Sequence, residues 1–336
     1  MGTNIFGIDL GTNNIKIYSQ NDDGYVIEKN MIAIENKKNI FAYGDSAYEM
    51  FEKAPSNIRV SFPLNNGVIA DIRDMEVLIR YFISDICKGK ALPADYYMAV
   101  PTDVTDVERR AFYDLVKNAG VKAKEVYVVE KAVADGLGLG IDVKTAIGAL
   151  IVDIGFHTTE ISLISLGGIV LSRLIKTGGL KFDETIKSTI RKEYNLVIGS
   201  KTSEKLKVSL KELEETNQKA VVFGRDIVTG LPMERTVDLE VIDAALAEQY
   251  AGIIDHVKLI LERTPPELSA DIYRNGLYLT GGASQIVHFA EQLSAGTGLK
   301  VIPAENPVTS VAAGLARVIN EDYFKTVAFA VEGMNK

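Results

Sequence analysis

The stretch VDIGFHTTEI, residues 152–161, combines a carboxylate, a glycine and paired threonines in the order of a phosphate-binding turn. An apolar run ends at Asp153, and Thr158 opens a second apolar run. In such a hairpin, backbone N–H groups can wrap a phosphate while the carboxylate holds a hydrated cation. Phe156 and His157, however, stand where the backbone would have to approach a phosphate closely. The residues therefore predict an anion site with an unusual turn.

A similar pattern opens the chain. NIFGIDLGTNNIKIYSQ predicts strand, turn and strand, as does ALIVDIGFHTTEISLISLGG, and Asp9 and Gly11 align with Asp153 and Gly155. Two interpretations remain open. The hairpins are either copies in a duplicated sheet domain or unrelated turns that both use Asp and Gly.

A third motif lies in GLYLTGGASQIVHFAEQL, which predicts a strand, a turn at Gly281 and Gly282, and a helix. A helix that begins after such a turn directs its N-terminal amides at an anion, and glycine lets a ligand approach the backbone. Two Asp-x-Gly hairpins and this turn could together clamp a nucleoside polyphosphate.

Strands and helices alternate around these motifs. The helix TDVERRAFYDLVKNAG is expected to begin after Thr105 and to end at Gly120. The stretch after residue 35 is polar and irregular up to about Arg59. The other main expectations are strands over 25–35 and 96–101 and helices over 75–86, 182–195, 202–215 and 240–264.

Composition limits the class of protein. A length of 336 residues predicts about two domains, and the hydrophobic fraction of 47% is sufficient for a large core. The net charge of -8 argues against nucleic acid as the main ligand. Cys87 is the single cysteine, so no internal disulfide is possible, and the three histidines lack metal-ligand spacing. With no signal peptide and no run of about 18 apolar residues, we expect a soluble, cytoplasmic protein.

Longer strings resemble one family. GIDLGTNN, SFPLNNGVIADI, VPTDVTDVERRA, DIGFHTTEISLISLGGIVLSR, IRKEYNLVIGSKTSEKLK, GRDIVTGLP and RTPPELSADI look like the MreB/Mbl bacterial actins of the actin-like ATPase superfamily. The resemblance implies an α/β actin-like ATPase fold, with two duplicated RNase-H-like domains forming four subdomains around a nucleotide cleft. The implied boundaries are 1–32 with 64–145 and 316–336 (IA), 33–63 (IB), 146–181 with 246–315 (IIA) and 182–245 (IIB).

The resemblance also implies a ligand, ATP or ADP, with Mg²⁺ held through water by Asp9 and Asp153. Glu204 and Lys207 would face the adenosine; without the resemblance they would be a solvated surface ion pair. The implied nucleotide-binding residues are Asp9, Gly11, Thr12, Asn13, Asn14, Asp153, Gly155, Phe156, His157, Thr158, Gly179, Glu204, Lys205, Lys207, Gly281, Gly282, Ala283 and Ser284.

Two departures from the family concern hydrolysis. Phe156 and His157 replace two glycines, and a Phe at positive φ would be strained by about 1 kcal/mol or more. His157 either donates to a γ-phosphate or merely caps the turn. The family's catalytic residues would be Glu130, Thr158 and a second glutamate that orients the attacking water, but Lys131 occupies that last position. A charged lysine cannot accept a proton and would pair with phosphate, so we expect slow or absent hydrolysis.

The implied function is a filament, with paired protofilaments, that organises cell shape and wall synthesis. It would act at the inner face of the cell membrane with membrane proteins of the elongation machinery. One alternative is a fully active ATPase that uses Glu130 or His157, and a less favoured one is a small-molecule kinase. The loop CKGKALPADYY around Leu92 is either a membrane contact or an ordinary helix-to-strand turn.

Overall fold

The computed structural model describes residues 4–90 and 92–330. The outermost parts of the predicted subdomain IA, residues 1–3 and 331–336, therefore lie outside the described residues, as does Ala91 in the loop near Leu92. Strands and helices are numbered below in chain order.

Two five-stranded sheets form the framework. The first has the order β10-β9-β1-β2-β3 and the second the order β13-β12-β11-β17-β18. The first sheet contains β1 (Asn4–Leu10), β2 (Asn14–Ser19), β3 (Gly24–Lys29), β9 (Ala94–Val100) and β10 (Ala123–Glu130). The second contains β11 (Ala149–Ile154), β12 (Thr159–Ser165), β13 (Gly168–Ile175), β17 (Leu277–Thr280) and β18 (Val301–Pro303).

The two sheets have the same topology. In the first, β1 pairs antiparallel with β2 and parallel with β9. In the second, β11 pairs antiparallel with β12 and parallel with β17. Each sheet is thus an antiparallel three-stranded meander extended by two parallel strands, which favours duplication over two unrelated hairpins. The first turns of both meanders lie at the carboxyl ends of buried strands, where ligands commonly bind in α/β sheets.

Smaller sheets extend each half. One consists of β4 (Ile32–Glu35), β5 (Asn39–Tyr43) and β6 (Ile58–Ser61), followed by the two-stranded β7 (Leu64–Asn65) and β8 (Val68–Ile69). The other consists of β14 (Leu196–Val197), β15 (Ala220–Asp226) and β16 (Pro232–Val237).

The first small sheet corrects two expectations. The predicted strand over 25–35 is broken at Asn30, whose side chain donates to the Gly11 carbonyl oxygen at 3.0 Å, so that β3 and β4 join different sheets. The stretch expected to be irregular contains β5, β6 and a short helix. These elements are short, and their stability comes from a local core around Met31, Ala33 and Ala47 rather than from a periodic pattern.

The helices cover the sheets and connect them. They are α1 (Gly44–Met50), α2 (Ile72–Ile86), α3 (Asp106–Asn118), α4 (Lys131–Gly138), α5 (Gly179–Tyr194), α6 (Ser200–Glu215), α7 (Leu239–Arg263), α8 (Pro266–Asn275), α9 (Phe289–Thr297) and α10 (Ser310–Asn320). The predicted start of α3 is confirmed, since Thr105 and Glu108 form a capping box. Among the described residues, no helix is long and apolar enough to cross a membrane.

Helices α4 and α10 pack between the two large sheets. Their backbones approach closely: a Cβ atom added at Gly314 would lie 1.7 Å from the Ala134 carbonyl oxygen, and one at Gly138 would lie 1.8 Å from that of Ser310. Any side chain at these glycines would push the helices apart. The contact fixes the start of α4 beside both sheets. The predicted boundary between residues 315 and 316 falls inside α10, and the subdomain boundaries stay a prediction.

Candidate functional site

A cleft of about 310 Å³ opens where the first turns of the two meanders meet. Its volume lies at the lower end of the range for small-molecule sites. The predicted residues that line it are Asp9, Gly11, Thr12, Asn13, Asn14, Asp153, Gly155, Phe156, Thr158, Gly179, Glu204, Lys207, Gly281, Gly282 and Ala283. The structure therefore brings both hairpins and the Gly-Gly turn together around one cavity.

Four predicted residues do not line this cleft: Glu130, His157, Lys205 and Ser284. Lys205 is exposed on α6. The Ser284 hydroxyl donates to the Gly281 carbonyl oxygen at 2.7 Å and thereby stabilises the Gly-Gly turn. The positions of Glu130 and His157 bear on catalysis and are described below.

The Gly-Gly turn has a backbone that only glycine adopts readily. Gly281 has φ 89° and ψ 149°, and a Cβ atom there would lie 2.2 Å from Asp153 Oδ1. The turn leads into a 3₁₀ turn, Gly282–Gln285, and helix α9 begins only at Phe289. The expected helix N-terminus directly after the glycines is therefore wrong. Instead, the absent side chain lets the turn pack against the end of β11.

The second hairpin accommodates Phe156 and His157 without the strain that a positive φ would cause. Neither residue has a positive φ. The turn is held by the start of α5, where the Gly179 N–H donates to the Gly155 carbonyl oxygen at 3.0 Å and the Leu180 N–H donates to that of Phe156 at 2.7 Å. The loop thus follows a path that bulky residues tolerate.

The His157 side chain does not line the cleft and contacts the turn between β7 and β8. Its Nδ1 accepts a hydrogen bond from the Asn66 N–H at 3.1 Å, and its ring stacks on Phe156 with centroids 5.0 Å apart. Burial lowers the pKa of His157, so the neutral ring that can accept this bond is favoured. The side chain therefore bridges the two halves, and the structure does not place it among groups that could donate to a phosphate in the cleft.

This bridge should weaken in acid. Because the pKa of His157 is lowered on folding, its stabilisation is complete above the ordinary value of 6.5 and is lost as the pH falls through the lowered value. We expect wild type to be more stable than His157→Phe by about 1 kcal/mol at neutral pH, and the difference to shrink as the pH falls below the ordinary value of 6.5. Urea unfolding of both proteins measures it. His256, whose pKa is also lowered, is present in both and cancels. A stability difference between the two proteins that does not change with pH would show that the hydrogen bond accepted by neutral His157 does not stabilise the fold.

Lys131 begins α4, and its ammonium forms an ion pair with the Asp153 carboxylate. Burial alone would lower the pKa of Lys131, but the charges of Asp153, Glu160, Asp9 and Asp135 outweigh it and raise the pKa. The lysine is therefore firmly charged. We expected it to pair with phosphate, whereas here it pairs with a carboxylate near the end of β11 in the second sheet.

Asp9 also has a lysine partner. Lys16, on the neighbouring strand β2, places its Nζ 2.9 Å from Asp9 Oδ2 and lines the cleft. Both carboxylates that were expected to hold the water shell of Mg²⁺ therefore already form an ion pair with a lysine ammonium. In the described part of the chain, no group of three or more His, Cys, Asp or Glu side chains is arranged to hold a metal ion. Because an ammonium group already neutralises each of the two carboxylates, Asp9 and Asp153 do not fit a magnesium site.

Glu160 is a cleft residue that the sequence reasoning missed, although it ends the motif quoted first. It accepts a hydrogen bond from the Thr102 hydroxyl at 2.6 Å, and its other carboxylate oxygen is buried without a hydrogen-bond partner among the described residues. Burial raises the pKa of Glu160, while the Lys131 ammonium opposes the rise. Glu160 is thus an acidic group that lines the cleft and has one buried carboxylate oxygen left unsatisfied.

Glu130, by contrast, is engaged elsewhere. Its carboxylate forms an ion pair with Arg109 of α3, and it does not line the cleft. Burial raises the pKa of Glu130, and Arg109 opposes the rise. This arrangement gives Glu130 a role in holding α3 against β10, and it leaves no contact with a ligand in the cleft.

Glu204 and Lys207 line the cleft at its other end, and each has its own partner. Glu204 accepts a hydrogen bond from the Tyr48 hydroxyl at 2.5 Å, while Lys207 pairs with Asp183 at 2.9 Å. Burial raises the pKa of Asp183 to about 6, and Lys207 opposes the rise. The simple surface ion pair between Glu204 and Lys207 is therefore not formed.

The bond from Tyr48 belongs to a set of contacts between α1 and α6. The Lys201 ammonium donates to the Tyr48 carbonyl oxygen and lies 4.4 Å from the centroid of its ring. Glu52 accepts from the Ser200 N–H at 2.9 Å and from its hydroxyl at 2.7 Å. These contacts close the rim of the cleft in a segment that the sequence pattern presented as irregular.

Comparison with known proteins agrees with this architecture. The model of the MreB/Mbl protein family matches residues 3–326. The chain is 36% identical over 312 residues to the cell shape-determining protein Mbl of Bacillus subtilis, covering 92% of this chain and 93% of Mbl. It is 35% identical over 323 residues to MreB of Escherichia coli K12, covering 94% and 92%.

Solved structures show the same fold. MreB5 of Spiroplasma citri bound to ADP superposes with a TM-score of 0.88 at 36% identity, covering 97% of this chain and 98% of that one. The same protein bound to AMPPNP gives a TM-score of 0.89. A MamK double helical filament, at 22% identity and a TM-score of 0.73, shares the fold alone. The chain has the α/β actin-like fold, and with a family match over nearly its whole length it belongs to the MreB/Mbl family.

Proposed function

We propose that this protein binds adenine nucleotide in the cleft between its two large sheets. The observation that carries the proposal is the convergence of both Asp-x-Gly hairpins and the Gly281 turn on one cavity. The Spiroplasma citri relative bound to ADP and to AMPPNP supports it. Magnesium held by Asp9 and Asp153 is not part of the proposal, because lysines occupy both carboxylates.

We further propose that the protein assembles into filaments that contribute to cell shape. Support comes from the relatives named as cell shape-determining proteins at 35% and 36% identity over more than nine-tenths of the chain. Paired protofilaments, wall synthesis and membrane proteins of cell elongation belong to the same proposal. The full-length family match leaves the small-molecule kinase as the weaker alternative.

Hydrolysis in this proposal is slow. Lys131 forms an ion pair with Asp153 at the position where an acid would be needed to orient water. Glu130 forms an ion pair with Arg109, and His157 accepts a hydrogen bond from the Asn66 N–H. A fully active ATPase would need another acid. Glu160 is the residue that favours this alternative, because it lines the cleft and one of its carboxylate oxygens is left unsatisfied.

Membrane contact, at the inner face of the cell membrane, is proposed through the loop between α2 and β9. Lys88, Lys90 and Leu92 are exposed there, whereas Tyr96 and Tyr97 of the predicted loop are buried in β9. Two lysines and one leucine suit a weak contact with anionic lipid. Sedimentation with anionic vesicles tests it: a Leu92→Ser variant that pellets as well as wild type would contradict the proposal.

Sedimentation of the purified protein with ATP, with ADP and without nucleotide tests assembly. We expect pelleted filaments that electron microscopy resolves as paired strands, with the pelleted amount depending on nucleotide. Protein that stays in the supernatant under every condition, including with lipid, would contradict the filament proposal.

A further inference from the structure

Two carboxylates of the cleft, Asp9 near the end of β1 and Asp153 near the end of β11, each form an ion pair with a lysine. Lys16 comes from β2 of the first hairpin and contacts Asp9, while Lys131 comes from the start of α4 and contacts Asp153. The first pair joins two neighbouring strands of the first sheet, and the second joins helix α4 to strand β11 of the second sheet. All four residues line the same cavity.

The burial of these groups explains why the lysines matter. Asp9 is 4% exposed and Asp153 is 6% exposed. A buried carboxylate is costly unless an opposite charge compensates it, and breaking such a pair leaves an uncompensated charge. A hydrated cation that bound these carboxylates would therefore have to displace ammonium groups that the fold itself holds in place.

An ammonium also suits the ligand. It has three N–H donors, so a lysine that satisfies one carboxylate can still donate to the oxygens of a phosphate. Lys131 is held by the tight packing of α4 against α10, which places its charge without help from the ligand. The cleft thus carries fixed positive charge at the end where the hairpins would hold phosphates.

We infer that Lys131 and Lys16 supply the positive charge that a divalent cation would otherwise bring, so that this protein binds ATP and ADP without Mg²⁺. This inference rests on the proposed nucleotide site. It assigns to Lys131 a binding role in addition to the loss of the acid at that position.

Calorimetry of the full chain with ATP, in excess Mg²⁺ and in excess EDTA, tests the inference. We expect dissociation constants within about threefold of each other. Binding in Mg²⁺ that weakens by more than this in EDTA would overturn the inference while leaving the nucleotide site intact. No heat in either buffer would overturn both.

A matched pair of variants locates the effect. Lys131→Met keeps the length of the side chain and removes the charge, and Lys205→Met makes the same change at an exposed lysine outside the cleft. We expect Lys131→Met to lose about tenfold in ATP affinity in EDTA and to recover in Mg²⁺, and Lys205→Met to behave as wild type. Equal affinities of Lys131→Met and wild type in EDTA would overturn the inference. If Lys131→Met does not fold, the wild-type comparison decides alone.

Discussion

Gly281→Ala is expected to destabilise the protein by about 2 to 5 kcal/mol and to abolish nucleotide binding. An alanine there would have to adopt φ 89°, and its methyl group would lie 2.2 Å from Asp153 Oδ1 and 2.4 Å from the Ile154 carbonyl oxygen. Relief requires moving the end of β11, which carries both Asp153 and the second hairpin. Urea unfolding and calorimetry with ATP measure the two effects.

The neighbouring glycine provides the control for stability. A Cβ atom at Gly282 meets only Val308 Cγ2, at 3.9 Å, and Gly282 does not have a positive φ. Gly282→Ala should therefore unfold at nearly the wild-type urea concentration. Equal stabilities of the two variants would show that the contact between the turn and Asp153 does not hold the cleft together.

Lys131→Glu is expected to raise phosphate release in Mg²⁺ by as much as about 10²- to 10⁴-fold, the usual contribution of a positioned general base. The substitution removes the ammonium from Asp153 and supplies a carboxylate that can accept a proton from water. It also adds an acid beside Asp153, Glu160 and Asp135, so that the variant should need a divalent cation that wild type does not.

Phosphate release by wild type, Lys131→Glu and Lys205→Glu measures this effect, the last being an exposed lysine outside the cleft. A wild-type rate equal to that of an ordinary MreB, unchanged by Lys131→Glu, would contradict the account. Glu160→Gln would then be the next variant, because Glu160 lines the cleft and one of its carboxylate oxygens is left unsatisfied.

Local signals predicted the parts of the fold that are stabilised locally. The apolar runs of both hairpins form the predicted strands, and the cap at Thr105 marks a helix start that the structure confirms. The Gly-Gly turn was also recognisable. The helix expected directly after it was not formed, because contacts with β11 rather than helix propensity decide the backbone there.

The electrostatics of the cleft could not be predicted in the same way. Lys131 begins helix α4 whereas Asp153 lies near the end of strand β11, and Lys16 looks like an ordinary polar residue of an alternating strand. Their partners depend on how the sheets pack. Tyr48 lies in a polar stretch whose short helix depends on the small core around Met31, Ala33 and Ala47, so its contact with Glu204 had no periodic signal.

We propose that this protein forms filaments that retain uncleaved ATP. Sedimentation with ATP labelled at the α-phosphate or at the γ-phosphate tests it in one measurement, because hydrolysis followed by phosphate release removes only the second label. We predict pelleted filaments with equal amounts of both labels after prolonged incubation. Filaments that keep the α-label and lose the γ-label, or a pellet without label, would contradict the account.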